Sequence, residues 1–191
     1  HIEDQVVEKR CGHRPGKAIV STVEMINRIK AAVDARYETH FSIMARTDAY
    51  GIEGLNGAIS RASQYVEAGA DMIFAEAMTS LDDYKRFANE VDVPVLANMT
   101  EFGQTPLFSK SELEQVGVKL ILYPLSAFRA MSQAAFSVYQ SILENGHQRE
   151  VLPLMQTRDE LYSMLEYHEF EKKMDIVLKQ QATSETKGKK S

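Results

Sequence analysis

The sequence predicts an α/β fold on a parallel sheet, and three observations lead there. Apolar runs of strand length alternate with apolar stripes at helical spacing from residue 18 onward. Strict alternation of this kind makes the strands parallel, with the helices outside. No glycine-rich phosphate loop follows a strand run, which disfavours the rival reading, a doubly wound open sheet. About four complete strands and a stub at His1 fit in the 191 residues, whereas a closed (β/α)8 barrel has eight strands and typically ~250 residues. The expectation is the C-terminal part of a (β/α)8 TIM-type barrel, about strands 4–8. The opening His1-Ile2-Glu3-Asp4, without an initiating Met, reads as the end of a strand in an N-terminally truncated chain.

The elements follow in order. Ser21-Thr22-Val23-Glu24 has capping-box spacing, and Ile26, Ile29 and Val33 continue at helical spacing. Phe41–Thr47 reads as a buried strand. Leu55, Ile59, Ala62 and Val66 stripe a second helix that Gly69 closes, and Asp71–Ala75 is the next strand. Leu81–Val91 reads as a helix, Pro94–Met99 as a strand, Ser111–Val116 as a short helix and Val118–Tyr123 as a strand. A longer helix runs from about Ser126 to Leu143 and ends at Asn145-Gly146. From Arg158 to about Gln180, Leu161, Met164, Leu165, Tyr167, Phe170 and Met174 lie close to one stripe. The expected organisation is residues 1–146 as a partial barrel with a catalytic loop at 8–15, residues 147–183 as a C-terminal helical segment, and 184–191 as a polar, disordered tail.

Composition bounds the function. A net charge of −5 supplies no basic footprint for nucleic acid. No apolar run approaches the ~20 residues of a membrane span. The single cysteine, Cys11, cannot form an internal disulfide, so a reducing, cytoplasmic setting is expected.

Polar residues gather where the strand runs end: Glu3 and Asp4, Arg46-Thr47-Asp48, Glu76, Asn98 to Glu101, and Pro124 to Arg129. In a barrel these positions form the catalytic face. Any one of them could equally be a helix-capping residue, but five in register describe a pocket of carboxylates, arginines and amides suited to an anionic substrate and a metal. The loop Glu8–Pro15 is the richest segment, since Lys9, Arg10, His13 and Arg14 surround Cys11. Cationic neighbours favour a thiolate if they face it, and Gly12 permits close backbone approach to a ligand. The bland alternative is a cysteine acting as a small buried hydrophobe.

Here the sequence resembles a known family. Lys9-Arg10-Cys11-Gly12-His13 is similar to the signature of the isocitrate lyase and phosphoenolpyruvate mutase superfamily, in its lyase branch, and Arg14-Pro15 after the histidine resembles the methylisocitrate lyases. Further matches are His1–Gln5, Met44–Ala49, Leu96–Gly103, Tyr123–Ala130 and Met155–Arg158. Ala75 stands where the family often has proline before the glutamate.

The resemblance implies a Mg2+-dependent carbon–carbon lyase that cleaves 2-methylisocitrate to pyruvate and succinate in the 2-methylcitrate cycle of propionate catabolism. Isocitrate or another 2-hydroxy acid is the alternative substrate, and a non-catalytic truncated barrel the alternative from another class. In the implied roles Cys11 is the general acid that protonates the succinate carbanion, with Lys9 and His13 tuning the thiol and ordering the loop. Cys11, Gly12, Arg46, Glu76, Asn98, Met99 (through its backbone), Thr100, Arg129 and Arg158 form the substrate cage. Glu3 belongs to the magnesium shell through water, with the direct ligands expected upstream of His1, so the 191-residue piece alone is expected to be inactive. The last helices are expected to swap between subunits of a homotetramer, with Leu161, Leu165, Tyr167 and Phe170 in the buried stripe.

Overall fold

The computed structural model of the chain describes residues 1–38 and 40–188, with side chains described through Gln180. Thr39 and residues 189–191 lie outside the described residues. Five strands, β1 (Ile2–Glu3), β2 (Met44–Thr47), β3 (Met72–Ala75), β4 (Val95–Asn98) and β5 (Leu120–Leu122), form one sheet in sequential order, every pair parallel. Helices α1 (Thr22–Asp34), α2 (Tyr50–Glu67), α3 (Leu81–Glu90) and α4 (Lys110–Gln115) provide the crossovers. A doubly wound sheet reverses its strand order at a switch point. Sequential order without reversal is the arc of an α/β barrel.

Period-two alternation sorts the strand residues. Ala45, Ile73, Ala75, Val95 and Ala97 join the core beneath the helices, packed with Met25 and Ile29 of α1, Ala62 and Tyr65 of α2, Tyr84 and Phe87 of α3, and Leu113 of α4. Phe74 and Leu96, one residue out of phase, are buried outside that cluster. The strands are shorter than their apolar runs. At the start of the second run, the Ile43 N–H donates to Asp71 Oδ2 at 2.7 Å, so pairing with β3 begins only at Met44.

Helix ends follow local chemistry. The Ser21 hydroxyl accepts from the Glu24 N–H, but Glu24 turns its carboxylate to Arg28, so only half of the expected capping box forms. Complete boxes occur at Ser109–Glu112 and Thr157–Glu160. Helix α2 is interrupted at Gly54 (φ 72°, ψ −177°), a conformation essentially confined to glycine.

The chain forms two compact units, His1–Arg129 and one from Ala130 onward. The expected division at 146 coincides with the end of α5 (Ser126–Asn145), while the compact units part inside that helix. The second unit also holds a 3-10 segment (Arg149–Leu154), α6 (Arg158–Met164) and α7 (Tyr167–Gly188). The stretch 158–180, read as close to one helical stripe, holds two helices: α6 ends at Met164 with Leu165 as its C-cap, Glu166 has φ 51°, and the rings of Tyr162 and Tyr167 stack across the break at 4.4 Å. The expected tail from residue 184 begins inside α7, with its last three residues outside the described ones.

Candidate functional site

The site grows from the C-terminal ends of the strands. Arg46 and Asp48 are two residues apart at the end of β2, so both point to the same side. Arg46 Nε donates to Asp48 Oδ2 at 2.9 Å and Nη2 to Oδ1 at 3.3 Å. The guanidinium also lies 3.4 Å from Glu3 Oε2 and 3.5 Å from Glu76 Oε1, and 4.8 Å above the ring of Phe74. One arginine thus meets carboxylates from three strand ends. Burial alone would lower its pKa, but the bond to Asp48 and the charges of Glu76, Asp48 and Glu3 outweigh it and hold the guanidinium above its ordinary range.

Asp48 is fully buried. Burial pushes its carboxyl up, yet the Arg46 bond, the Arg46 charge and the Lys17 ammonium together hold it below the ordinary 3.8. Behind it sits Asp4, also fully buried, whose carboxylate accepts from the Asp48 N–H (2.9 Å), the Thr47 hydroxyl (2.7 Å) and the Tyr65 hydroxyl (3.0 Å). Desolvation dominates there and raises the Asp4 pKa despite those donors.

Glu76 follows β3 and is held by its N–H, which donates to the Thr47 carbonyl at 3.1 Å. Its Oε2 accepts from Asn98 Nδ2 at 3.4 Å, and its Oε1 lies 3.1 Å from His13 Nε2 at an angle too oblique for a hydrogen bond. The loop 8–15 folds over these groups. A Cβ on Gly12 would lie 2.5 Å from Glu76 Cγ and 2.6 Å from Asp48 Oδ1, so only glycine permits this approach. Lys9 reaches out of the loop to Glu3 Oε1 at 2.7 Å. Cys11 is exposed and lines a cleft of about 420 Å3 with Lys9, Arg10, Arg14 and Pro15. His13 faces Glu76 with a nearly buried side chain and does not line that cleft, so three of the four cationic neighbours, not all four, share it with the thiol.

Distances of a few ångströms therefore bring together Glu3, Lys9, Gly12, His13, Arg46, Glu76 and Asn98. Met99 and Thr100 are buried just beyond β4. The Met99 N–H is already given to the Leu122 carbonyl in the sheet (2.8 Å), which leaves only its carbonyl for a ligand. Arg129 lies at the end of the first unit with Nε 3.6 Å from Glu101 Oε2 and its guanidinium 5.3 Å above the Phe102 ring. Ser126 donates its hydroxyl to the same Glu101. Arg158 opens α6 in the second unit. Lys17 and Gln104 had no place in the sequence-based site, while Asp4 and Asp48 were placed there only as strand-end polar residues, without a role. The i, i+2 spacing of Arg46 and Asp48 was the available signal for pairing those two.

Among the described residues, no group of three or more His, Cys, Asp or Glu is disposed to hold a metal ion. Glu3 Oε2 is nonetheless a buried carboxylate oxygen without a hydrogen-bond partner. That fits an acceptor for a metal-bound water, which is how Mg2+ commonly meets outlying carboxylates.

Comparison with known proteins adds the following. The family model for phosphoenolpyruvate phosphomutase matches residues 1–143. The chain is 61% identical over 180 residues to the 2-methylisocitrate lyase of Shewanella oneidensis, covering 94% of this chain and 62% of that protein. It is 58% identical over 175 residues to that of Escherichia coli, covering 92% and 59%. The chain thus spans about 60% of the length of the curated relatives it matches. Among solved structures, a 2,3-dimethylmalate lyase superposes with a TM-score of 0.78 at 32% identity, over 89% of this chain and 57% of that one. A phosphonopyruvate hydrolase, solved with oxalate and Mg2+, superposes with a TM-score of 0.70 at 24% identity over 89% and 59%, a likeness of fold alone. No helix among the described residues is long and apolar enough to cross a membrane.

Proposed function

Since the chain belongs to the phosphoenolpyruvate phosphomutase family, we propose that it carries the substrate cage of a carbon–carbon lyase that cleaves 2-methylisocitrate to pyruvate and succinate. The observation that carries this reading is the approach of the Cys11-Gly12-His13 loop to Glu76 and Asp48 above the strand ends. It brings a thiol-bearing segment to a buried arginine, two carboxylates and an amide. The 61% identity to a 2-methylisocitrate lyase favours that substrate over isocitrate or a dimethylmalate-like acid.

In the proposed reaction the substrate hydroxyl loses its proton to a base and becomes the carbonyl of pyruvate. The adjacent C–C bond breaks, and its electron pair passes to succinate as an aci-carboxylate that Cys11 protonates from its thiol. Arg46 binds a substrate carboxylate by exchanging its longer contacts, at 3.4 and 3.5 Å to Glu3 and Glu76, while the 2.9 Å bond to Asp48 keeps the guanidinium oriented. Asn98, through the amide hydrogen it does not give to Glu76, and Thr100, through its hydroxyl, offer donors to the developing negative charge. Glu3 would accept from waters of a bound Mg2+. The chemistry such an ion would supply is polarisation of the hydroxy-carboxylate that becomes pyruvate.

The same reading places the protein in the cytoplasm, in propionate catabolism through the 2-methylcitrate cycle. It also has a second copy of the chain covering Leu161, Leu165, Tyr167 and Phe170, all more than a third exposed, within a homotetramer. The 191-residue chain alone is proposed to be inactive. The test supplies Mg2+ with 2-methylisocitrate or isocitrate to this chain, and to the chain extended by the remaining segment of the Shewanella relative. Pyruvate from the first substrate, by the extended protein only, supports the proposal. Glyoxylate from the second moves the protein to the isocitrate branch, and no cleavage of either by the extended protein rejects it.

A further inference from the structure

We propose that Lys17 and Gln104 are positioning residues that fasten the Cys11-Gly12-His13 strap over Glu76 and Asp48. This rests on the reading above that the strap carries the reacting thiol. Three successive carbonyls of the strap each accept a bond. Cys11 O accepts from the Arg14 N–H at 2.9 Å, Gly12 O from Lys17 Nζ at 2.6 Å, and His13 O from Gln104 Nε2 at 3.1 Å. The first is internal to the strap, and the other two tie it to residues outside it.

Lys17 supplies the energetic reason for closure. Its side chain is only 7% exposed, and the acceptors found for its ammonium are Gly12 O and Asp48 Oδ1, at 2.6 and 3.2 Å. A buried ammonium is costly unless its hydrogens are taken. If the strap lifts, Gly12 O leaves and Lys17 keeps Asp48 alone. The ammonium therefore favours the closed strap, and it links the strap directly to the carboxylate that orients Arg46.

Gln104 acts from the other side, on the loop after β4. Its backbone N–H donates to His13 Nδ1 at 3.0 Å while its side chain donates to His13 O. Because Nδ1 accepts a hydrogen bond, the ring keeps its proton on Nε2, the nitrogen that faces Glu76. Gly103 makes room, since a Cβ there would lie 2.7 Å from His13 Nδ1. Gln104 thus sets the tautomer as well as the place of the imidazole, and does so from the loop that follows Asn98 and Thr100.

The experiment is hydrogen–deuterium exchange on the full chain, read together with tryptic cleavage after Arg10, in Lys17→Met, Lys17→Arg and Gln104→Ala. Arg14 is followed by Pro15 and resists trypsin, so the Arg10 cut reports the strap. Exchange over residues 11–14 and cleavage after Arg10 are expected to accelerate about tenfold in Lys17→Met and about threefold in Gln104→Ala. The rest of the chain is expected to be unchanged and Lys17→Arg to restore most of the protection. Unchanged strap exchange in both variants, or acceleration spread evenly over the sheet, overturns the proposal. Should Lys17→Met fail to fold, Gln104→Ala decides alone, because Gln104 is exposed. A protected strap in a protein that, extended as above, cleaves neither acid would sink the lyase reading and leave the fastening in place.

Discussion

Phe87 and Phe170 are the same side chain on two amphipathic helices, and they meet opposite fates. Phe87 of α3 is fully buried with Tyr84, Val91 and Val95 in the core of the first unit. Phe170 of α7 is 65% exposed, with the Lys173 ammonium 5.7 Å from its ring. The contrast extends along the chain. Between α1 and α4 every helix lays its stripe on the sheet, whereas Phe136, Leu165, Met174 and Ile176 of the second unit stay open. Apolar periodicity therefore reports what a helix can bury, and only a partner surface decides whether it does. In the first unit the sheet is that surface, and stability and site both rest on it.

The sharpest way to break this comparison is to delete both rings. Phe87→Ala should cost ~3–5 kcal/mol as a core deletion with its cavity, while Phe170→Ala should stay within ~0.5 kcal/mol, by urea denaturation of dilute protein. Similar losses would mean that a second copy still covers α7 at that dilution, and that the contrast belongs only to the separated chain. A second pair of variants compares charges instead of rings. Asp48→Asn leaves Arg46 and the nearly buried Lys17 short of their carboxylate, with an expected loss of about 3 kcal/mol. Glu169→Gln removes the exposed partner of Lys172 and should leave the unfolding midpoint where it is.

The smallest effect concerns acid. The folded pKa of Asp48 lies below its ordinary 3.8, so its contribution is present above that value and is lost as pH falls through the depressed one. Asp4 has the opposite sign: its pKa is raised, so its contribution is present below the ordinary value and is lost as pH rises through the raised one. Asp4 is common to wild type and Asp48→Asn, and the Asp48 charge is the smallest of the causes that raise its pKa, so most, though not all, of its part cancels between them. The stability curves of the two proteins should therefore converge as pH falls below ~4, followed by acid titration of the circular dichroism signal. A gap that stays constant to the acid limit would show that Asp48 acts through packing rather than charge.

Much of the first unit could be read before any coordinates, because strand–helix alternation is a local signal and the sheet uses it in order. Ile73 and Ala75 are buried in phase with Val95 and Ala97, as period two requires. What escaped depends on where side chains go. Glu24 has the right position for a capping box but finds Arg28 four residues on. Helix α6 stops at Met164, capped by Leu165, and Glu166 turns to positive φ, a break that the apolar stripe through Tyr167 does not announce. Strand-end polar residues were visible, and Glu3, Arg46 and Glu76 do converge. Lys17 and Gln104 were not: Asp48 lies 31 residues from Lys17 and His13 lies 91 from Gln104 in sequence, and the bond of Lys17 to Gly12, five residues back, has no local pattern that marks it.

The ring of Phe74 beneath the Arg46 guanidinium has a consequence for assembly of the sheet. Arg46 and Phe74 are direct partners across β2 and β3. A slip of one residue would set Ile73 or Ala75 opposite the guanidinium and exchange the two faces of β3. The arginine would lose its aromatic floor, and Phe74 would be driven toward the helices. Cation and ring thus act as a checksum on alignment, so that the strand pairing most favourable for folding is also the one that leaves the site competent.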